Sequence, residues 1–208
     1  MNVINFPQGS EEWLASRAGK VTASRISDVM AKIKSGESAA KRDYRAQIVA
    51  EILTGRPQES GFTNAEMQWG TETEPLARGA YEIKEGALVE QVGLVIHPTI
   101  DRAGASPDGL VDDDGLIEIK CPKTATHLQY LLDGVAPSKY QLQMLWQMAC
   151  TGRAWCDFVS FDPRLPDDLQ FFKVRFLRDD KRLAEIEAEV TAFLGEVDAT
   201  IKQLRKAA

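Results

Sequence analysis

The stretch Gly115-Leu-Ile-Glu-Ile-Lys-Cys-Pro-Lys-Thr124, with Ser106-Pro107-Asp108-Gly109 just upstream, is the most informative part of the chain. It carries an acid at Asp108, a second acid at Glu118 and a base at Lys120. Residues two apart in a strand share a face, so a strand here directs Glu118 and Lys120 to one side and its isoleucines into a core. Two carboxylates can hold a hard divalent cation, and the lysine can position a water molecule beside it. The pattern is typical of a site for phosphodiester hydrolysis.

Each fragment also has an ordinary explanation when it is taken alone. Ser-Pro-Asp-Gly favours a turn, since Pro presets φ, Asp bonds its own backbone and Gly accepts a positive φ. Glu-Ile-Lys alone is an ordinary half-exposed strand. The intervening residues Asp112-Asp113-Asp114-Gly115 favour a hairpin, which would bring Asp108 beside Glu118. The two fragments together therefore predict an acid pair.

The composition bounds the class of protein. With 208 residues, 44% hydrophobic and 27% charged, the chain is predicted to be one soluble globular domain spanning residues 1–208. It has no run of about 18 apolar residues, and its start lacks the features of a signal peptide. We therefore expect a cytoplasmic protein with no membrane partner. The cysteines Cys121, Cys150 and Cys156 are interpreted as reduced, mostly buried thiols, too few for a four-cysteine iron–sulfur cluster.

The charge balance argues mildly against a nucleic-acid-binding protein. The net charge is −6 and the pI is near 5.1, whereas nucleic-acid binders usually present a basic face. Catalytic carboxylates count as negative charge until a metal neutralises them, and a local basic pocket is compatible with an acidic whole. The balance does argue against sequence-independent coating of DNA.

The spacing of apolar residues predicts a mixed order of elements. Helices are predicted at Ser10–Leu14 with Ser10 as N-cap, Thr22–Met30, 41–54, Glu66–Lys84, Lys139–Thr151 and Asp180–Lys206. Strands are predicted at Val89–Ile96, Leu116–Lys120 and Asp157–Phe161, with an edge strand at Leu169–Val174 and a loop at Gln58–Asn64. The class is α/β or α+β, with a central mixed β-sheet flanked by helices. The long C-terminal helix is interpreted as the cover of a core rather than a partner-binding helix.

Six ordered stretches carry a resemblance to a known family. They are Arg17-Ala-Gly-Lys-Val-Thr-Ala-Ser24, Gln68-Trp69-Gly70 with Glu74, Ser106-Pro-Asp-Gly109, Glu118-Ile-Lys-Cys-Pro122, Gln143 with Gln147, and Phe161-Asp-Pro-Arg164. Together they resemble the lambda-type phage alkaline exonucleases, also called YqaJ-like viral recombinases. These belong to the PD-(D/E)XK nuclease superfamily and have a restriction-endonuclease-like core. No motif is matched in residues 32–59.

The resemblance implies a set of catalytic and metal-binding residues. Asp108, Glu118 and the Ile119 carbonyl would bind Mg²⁺, with Glu74 as a further acid near the metal. Two ions would be held, and Mn²⁺ could substitute. Lys120 would orient the attacking water rather than act as a base, because neighbouring acids raise the pKa of a lysine. Tyr140 and Gln143 would orient the water or the scissile phosphate, although Gln143 could be only a polar residue on an amphipathic helix.

The resemblance also implies residues that handle the DNA end. Arg17, Ser24 and Ser106 would hold the 5′-terminal phosphate, which suits the bidentate binding of phosphate by arginine. Ser24 could instead be a simple helix cap. Met67 would be an apolar wedge that splits the terminal base pair, or else a buried helical methionine.

The implied function is a Mg²⁺-dependent 5′-to-3′ exonuclease. It would digest one strand of linear double-stranded DNA to mononucleotides and leave 3′ tails for phage-type recombination by strand annealing. The implied partners are two further copies in a homotrimeric ring and a single-strand annealing recombinase. An endonuclease or a junction resolvase on the same fold is the first alternative. A non-catalytic DNA-end or protein-interaction module and a soluble α/β protein without a nucleic-acid role are the others.

Overall fold

The computed structural model describes residues 1–58 and 65–207, so residues 59–64 of the predicted loop lie outside the described residues. The strands are β1 (Asn2–Ile4), β2 (Val21–Thr22), β3 (Val89–Glu90), β4 (Leu94–Ile96), β5 (Ala103–Ala105), β6 (Gly109–Val111), β7 (Gly115–Lys120), β8 (Trp155–Phe161) and β9 (Phe171–Leu177). The helices are α1 (Glu11–Arg17), α2 (Ile26–Val29), α3 (Ala39–Thr54), α4 (Ala65–Glu85), α5 (Thr124–Asp133), α6 (Ser138–Thr151) and α7 (Asp180–Ala207), with a 3₁₀ turn at Ala23–Arg25.

The strands form two mixed sheets, which confirms the predicted fold class. The larger sheet has the order β3-β6-β7-β8-β9, in which only β7 and β8 are parallel. The smaller sheet has the order β1-β4-β5-β2, in which β2 and β5 are parallel. A parallel pair requires a crossover connection, and α5 with α6 supplies it between β7 and β8. Helix α6 contacts β8 of the larger sheet and β4 and β5 of the smaller one.

The predicted hairpin is present as β6 and β7. Gly109 pairs with Ile117 and Val111 pairs with Gly115, so the same register places Asp108 level with Glu118. Asp112 in the turn adopts a left-handed φ of 46°, a conformation that Asp tolerates better than most residues. The hairpin therefore fixes the acid pair through backbone pairing.

The chain changes sheet at three places, and one side chain joins the last two of them. It passes from the larger to the smaller sheet between β3 and β4, and returns between β5 and β6 through Ser106-Pro107-Asp108. The side-chain amide of Gln8 donates to the carbonyl of Val92 (2.9 Å) and to that of Pro107 (2.8 Å). The N-terminal segment thus holds both connections together.

Most of the predicted helices have the expected limits. Ser10 caps α1 by accepting from the Trp13 amide, as predicted. Helix α6 ends at Gly152, whose φ of 74° is left-handed. Helix α7 packs against α3. Six side chains of α7 are buried, which confirms it as the cover of a core: Leu183, Ile186, Val190, Phe193, Leu194 and Val197.

Two predicted elements were wrong in extent. Val89–Ile96 is two strands in different sheets, because Gly93 lies against the N-terminal segment, where a Cβ atom would approach the Ile4 carbonyl to 2.3 Å. Thr22–Met30 begins as β2 and a 3₁₀ turn, and only Ile26–Val29 is α-helical. Strand β1 and helix α5 were not anticipated.

Two expectations about composition can be compared with the structure. Cys121, Cys150 and Cys156 form no disulfide, and the latter two are buried. Within residues 1–58 and 65–207, no helix combines the length and apolar character needed to cross a membrane.

Candidate active site

The acid pair lies at the hairpin of the larger sheet. Asp108 immediately precedes β6, and its Oδ2 accepts a hydrogen bond of 2.7 Å from the backbone N–H of Ile119. Glu118 lies within β7 and its side chain is fully buried. The alternation of β7 places Glu118 and Lys120 on one face, as predicted.

The carboxylate of Glu118 is held by groups on α6 and β7. Gln143 Nε2 donates to Oε1 at 2.7 Å, and Gln147 Nε2 donates to Oε2 at 2.6 Å. Lys120 forms an ion pair with Oε1. Because Gln143 and Gln147 are one helical turn apart, a single face of α6 fixes both oxygens.

Lys120 is a cation in this environment. Burial alone would lower the pKa of Lys120, but the charges of Glu118 and Asp108 outweigh burial and raise it. The Nζ atom lies 5.3 Å from the centre of the Tyr140 ring. A protonated lysine cannot accept a proton, so the geometry suits it to positioning and charge stabilisation.

Asp108 lies among acids whose negative charge the neighbouring cations do not fully balance. Burial, then the charges of Glu118 and Glu74, raise the pKa of Asp108 to about 8 despite the opposing charge of Lys120. Ionising all these acids together therefore leaves an excess of negative charge. A divalent cation would remove that excess, and two carboxylates with the Ile119 carbonyl are the hard oxygen ligands that Mg²⁺ prefers. The donor set fits the predicted metal.

Glu74 is turned towards a neighbour on its own helix. Its Oε1 accepts from Arg78 Nη2 at 2.5 Å, and the side chain is one-third exposed. Among the described residues, no three side chains of His, Cys, Asp or Glu converge as a ready-made metal site. Glu74 lies in the middle of α4, and its role as a metal ligand stays a prediction.

A large cavity of about 820 Å³ opens beside the acid pair. Its wall includes Glu74, Ile119, Lys120 and Tyr140, together with Met67. Met67 is 55% exposed, so it is not a buried core methionine. The cations in this wall outnumber the acids: Lys120, Lys123, Lys139 and Arg164 against Glu66 and Glu74. Three of these cations are paired with acids, Lys120 with Glu118, Lys123 with Glu66 and Arg164 with Asp162, whereas Lys139 forms no ion pair among the described residues.

The residues predicted to hold a 5′-phosphate are partly brought together. The guanidinium of Arg17 lies 4.1 Å from the Trp13 ring centre, and Trp13 Nε1 donates to Ser106 Oγ at 3.0 Å. Trp13 thus links Arg17 to Ser106. Ser24 is exposed on the 3₁₀ turn, and because Thr22 and Arg25 occupy the N-cap positions there, Ser24 is not a helix cap.

Sequence reasoning left several residues of this region without a role. Gln147 was part of a motif but had no assigned contact, although its spacing from Gln143 pointed to the same helical face. Trp13, Arg78 and the Arg164–Asp162 pair were also unassigned. Trp13 meets Ser106 across 93 residues of sequence, and no local pattern indicates such a contact.

Comparison with known proteins now adds the family. A family model described as the YqaJ-like viral recombinase domain matches residues 12–154. The chain belongs to this family. No curated protein sequence matches it.

Solved structures of similar proteins agree with the YqaJ-like assignment. The structure of LHK-Exo in complex with dAMP is 55% identical, with a TM-score of 0.89, and the match covers 95% of this chain and 98% of that one. The alkaline exonuclease LHK-Exo from Laribacter hongkongensis gives 54% identity, a TM-score of 0.88 and coverage of 95% and 97%. A phage-related exonuclease from Haemophilus somnus 129PT is 17% identical, with a TM-score of 0.70 and coverage of 89% and 96%, and it supports the fold alone.

These findings confirm the resemblance to lambda-type exonucleases and the fold. They indicate that this YqaJ-like protein is a nuclease, support an exonuclease, and imply DNA as the substrate.

Proposed function

We propose that the protein is a Mg²⁺-dependent 5′-to-3′ exonuclease that digests one strand of linear double-stranded DNA to mononucleotides. The resulting 3′ tails would enter homologous recombination by strand annealing. The observation that carries this proposal is the acid pair of Asp108 and Glu118 beside a cavity lined by four basic side chains, in a chain whose relatives at 54–55% identity include an alkaline exonuclease.

Each residue of the site would have its own role in hydrolysis. Asp108, Glu118 and the Ile119 carbonyl would hold Mg²⁺, which when bound makes water more acidic and offsets the charge on the phosphate. A second ion would use Glu74 after its carboxylate leaves Arg78, and Mn²⁺ would substitute for Mg²⁺. Lys120 remains protonated and orients the attacking water through its N–H groups.

The groups around this centre hold the strand and the catalytic carboxylate. Gln143 keeps Glu118 Oε1 in place and, with Tyr140, would orient the water or the scissile phosphate. Met67 at the cavity rim would part the terminal base pair. Arg17, Ser24 and Ser106 would hold the 5′-phosphate, where arginine offers two parallel N–H donors.

The proposal includes an assembly and a partner on the strength of the family resemblance. A homotrimeric ring would enclose the DNA and explain how a protein with a net charge of −6 stays on its substrate. The single-stranded tail would pass to a single-strand annealing recombinase in the cytoplasm. Native mass spectrometry tests the ring, because a mass three times that of the 23.0 kDa chain is expected.

The decisive experiment compares a linear duplex labelled on either 5′ strand with the same DNA as a closed circle. Both are incubated with Mg²⁺ and, separately, with a chelator. We expect labelled mononucleotides from the linear form only, and only with Mg²⁺. Cleavage of the circle would indicate an endonuclease instead. Absence of cleavage in both would contradict a nuclease that acts alone.

A further inference from the structure

One wall of the cavity carries a rigidly held cation that the proposed mechanism does not use. Arg164 donates to the buried carboxylate of Asp162 through Nε (2.7 Å to Oδ1) and Nη2 (2.9 Å to Oδ2). Nη2 also donates to the Pro122 carbonyl at 3.1 Å. Thr124 Oγ1 donates to Asp162 Oδ2 at 2.6 Å, which fixes the acid from the other side. The guanidinium therefore has one defined position.

Trp69 stacks on this arginine. The Arg164 Cζ atom lies 4.4 Å from the centre of the Trp69 ring, and both residues line the cavity. Within residues 1–58 and 65–207, Nη1 of Arg164 has no acceptor, and the buried Nε1 of Trp69 also has none. The Arg164–Trp69 wall thus has one N–H donor group, Nη1 of the partly exposed guanidinium, that is available to a ligand in the cavity.

The same chain contains a second set of the same three residue types. Arg175 donates to the buried Asp157 through Nε (2.8 Å) and Nη2 (3.0 Å), and its Cζ atom lies 3.4 Å from the Trp155 ring centre. The exposed fractions are 45% for Arg175 and 44% for Arg164. The Arg175 set does not belong to the cavity wall. Position, rather than pairing or exposure, therefore distinguishes Arg164.

We propose that Arg164 binds a phosphodiester of the DNA strand inside the cavity, through its Nη1 donors. This subsite rests on the proposed function, since it names a contact to the same substrate in the same site. Asp162 and Trp69 pre-organise the guanidinium, so little conformational entropy is lost when phosphate binds. Lys139 in the same wall adds positive charge that favours an anionic strand.

Binding without cleavage tests this subsite. A short single-stranded deoxyoligonucleotide with a 3′ fluorophore is titrated with the protein in chelator, and fluorescence anisotropy gives Kd at several salt concentrations. Arg164→Gln is compared with the matched control Arg175→Gln, which removes an equally exposed, equally paired arginine. Loss of a charge-assisted phosphate contact should raise Kd roughly tenfold for Arg164→Gln. The slope of log K against log salt should fall by about 0.7.

Several outcomes would overturn the subsite. The first is a Kd and a salt slope for Arg164→Gln that equal those of the wild-type protein. The second is an equal loss of affinity for the oligonucleotide in Arg175→Gln. If Arg164→Gln does not fold, Arg164→Lys serves as the second variant. It keeps the positive charge but loses the paired N–H donors of the guanidinium, so it should bind the oligonucleotide more weakly with an unchanged salt slope. Wild-type affinity in Arg164→Lys would then contradict the proposal. If the wild-type protein cuts linear DNA normally in either case, only the subsite fails and the proposed function stands.

Discussion

Asp108 and Asp162, which lie near the same cavity, differ in their surroundings. Asp108 accepts one hydrogen bond from the described residues, from the Ile119 amide, and faces two glutamates. Asp162 accepts four, from the Thr124 hydroxyl and from the backbone and guanidinium of Arg164. The pKa of Asp108 is raised to about 8, whereas that of Asp162 is lowered to about 2.

The difference indicates what each aspartate can do. Burial alone would raise both pKa values, but the donors around Asp162 outweigh burial and stabilise its charge. The carboxylate of Asp162 already has its hydrogen-bond donors, so a further cation would stabilise it little. Asp108 is an incomplete site in which a cation relieves repulsion, and such groups are concentrated at functional sites.

The largest expected effect is on the rate of cleavage, and it tests the different roles of the two aspartates. Asp108→Ala or Glu118→Ala should lower the rate of cleavage by at least about a hundredfold, because metal coordination is lost, with folding nearly intact. Asp162→Asn should retain measurable cleavage. Nucleotide release from a labelled linear duplex, with circular dichroism as the folding control, gives all three values. Full activity in either alanine variant would remove that acid from the metal site.

The second prediction concerns stabilisation by Mg²⁺. A ligand at a hundred times its Kd raises the free energy of unfolding by about 2.7 kcal/mol. We expect Mg²⁺ to raise the thermal midpoint of the wild-type protein and of Asp162→Asn, but to have no such effect on Asp108→Asn. Differential scanning fluorimetry with increasing Mg²⁺ measures this. An equal rise in Asp108→Asn would mean that the ion binds elsewhere.

The third prediction uses the opposite pKa shifts. The pKa of Asp162 lies below its ordinary 3.8, so its stabilising contribution of about 2 kcal/mol is complete above pH 4 and is lost as the pH falls towards 2. The pKa of Asp108 is raised, so the folded state holds its proton longer and stability in chelator falls as the pH rises from about 4 to about 8.

Two variants separate these contributions. In urea titrations, Asp162→Asn should lose stability near neutral pH and lose less on acidification than the wild-type protein. Asp108→Asn should flatten the decline between about pH 4 and about pH 8 and be more stable than the wild-type protein at its upper end. Parallel pH profiles for wild type and Asp108→Asn would contradict the assigned shift.

The smallest expected effect concerns a residue that contacts neither aspartate. Arg17→Ala should slow digestion of 5′-phosphorylated ends roughly tenfold more than that of 5′-hydroxyl ends, because one charge-assisted phosphate contact of about 1.5 kcal/mol is lost. Initial rates on the two duplexes measure the ratio. An equal effect on both ends would remove Arg17 from the phosphate site.

Local patterns predicted the elements that carry the acids, and distant contacts explain what was missed. Helix α7 has a regular helical period, and strands β7 and β8 are rich in apolar residues, so all three could be recognised from local sequence. The break at Gly93 depends on the backbone of Ile4, which is far away in sequence. The same holds for the site: Asp108 and Glu118 lie in one local motif of the sequence, whereas Arg164 meets Trp69 only in the folded chain.

The short connection between β5 and β6 limits the distance between the backbones of Ser106 and Asp108. Ser106 follows the smaller sheet and Asp108 precedes the larger one, with Pro107 between them. Two residues of extended chain span at most about 7 Å, so no rearrangement of the sheets can move these backbone positions further apart. Bond lengths therefore set an upper limit on the backbone distance between the proposed end-binding serine and the metal-binding acid, and core mutations that loosen the packing cannot exceed it.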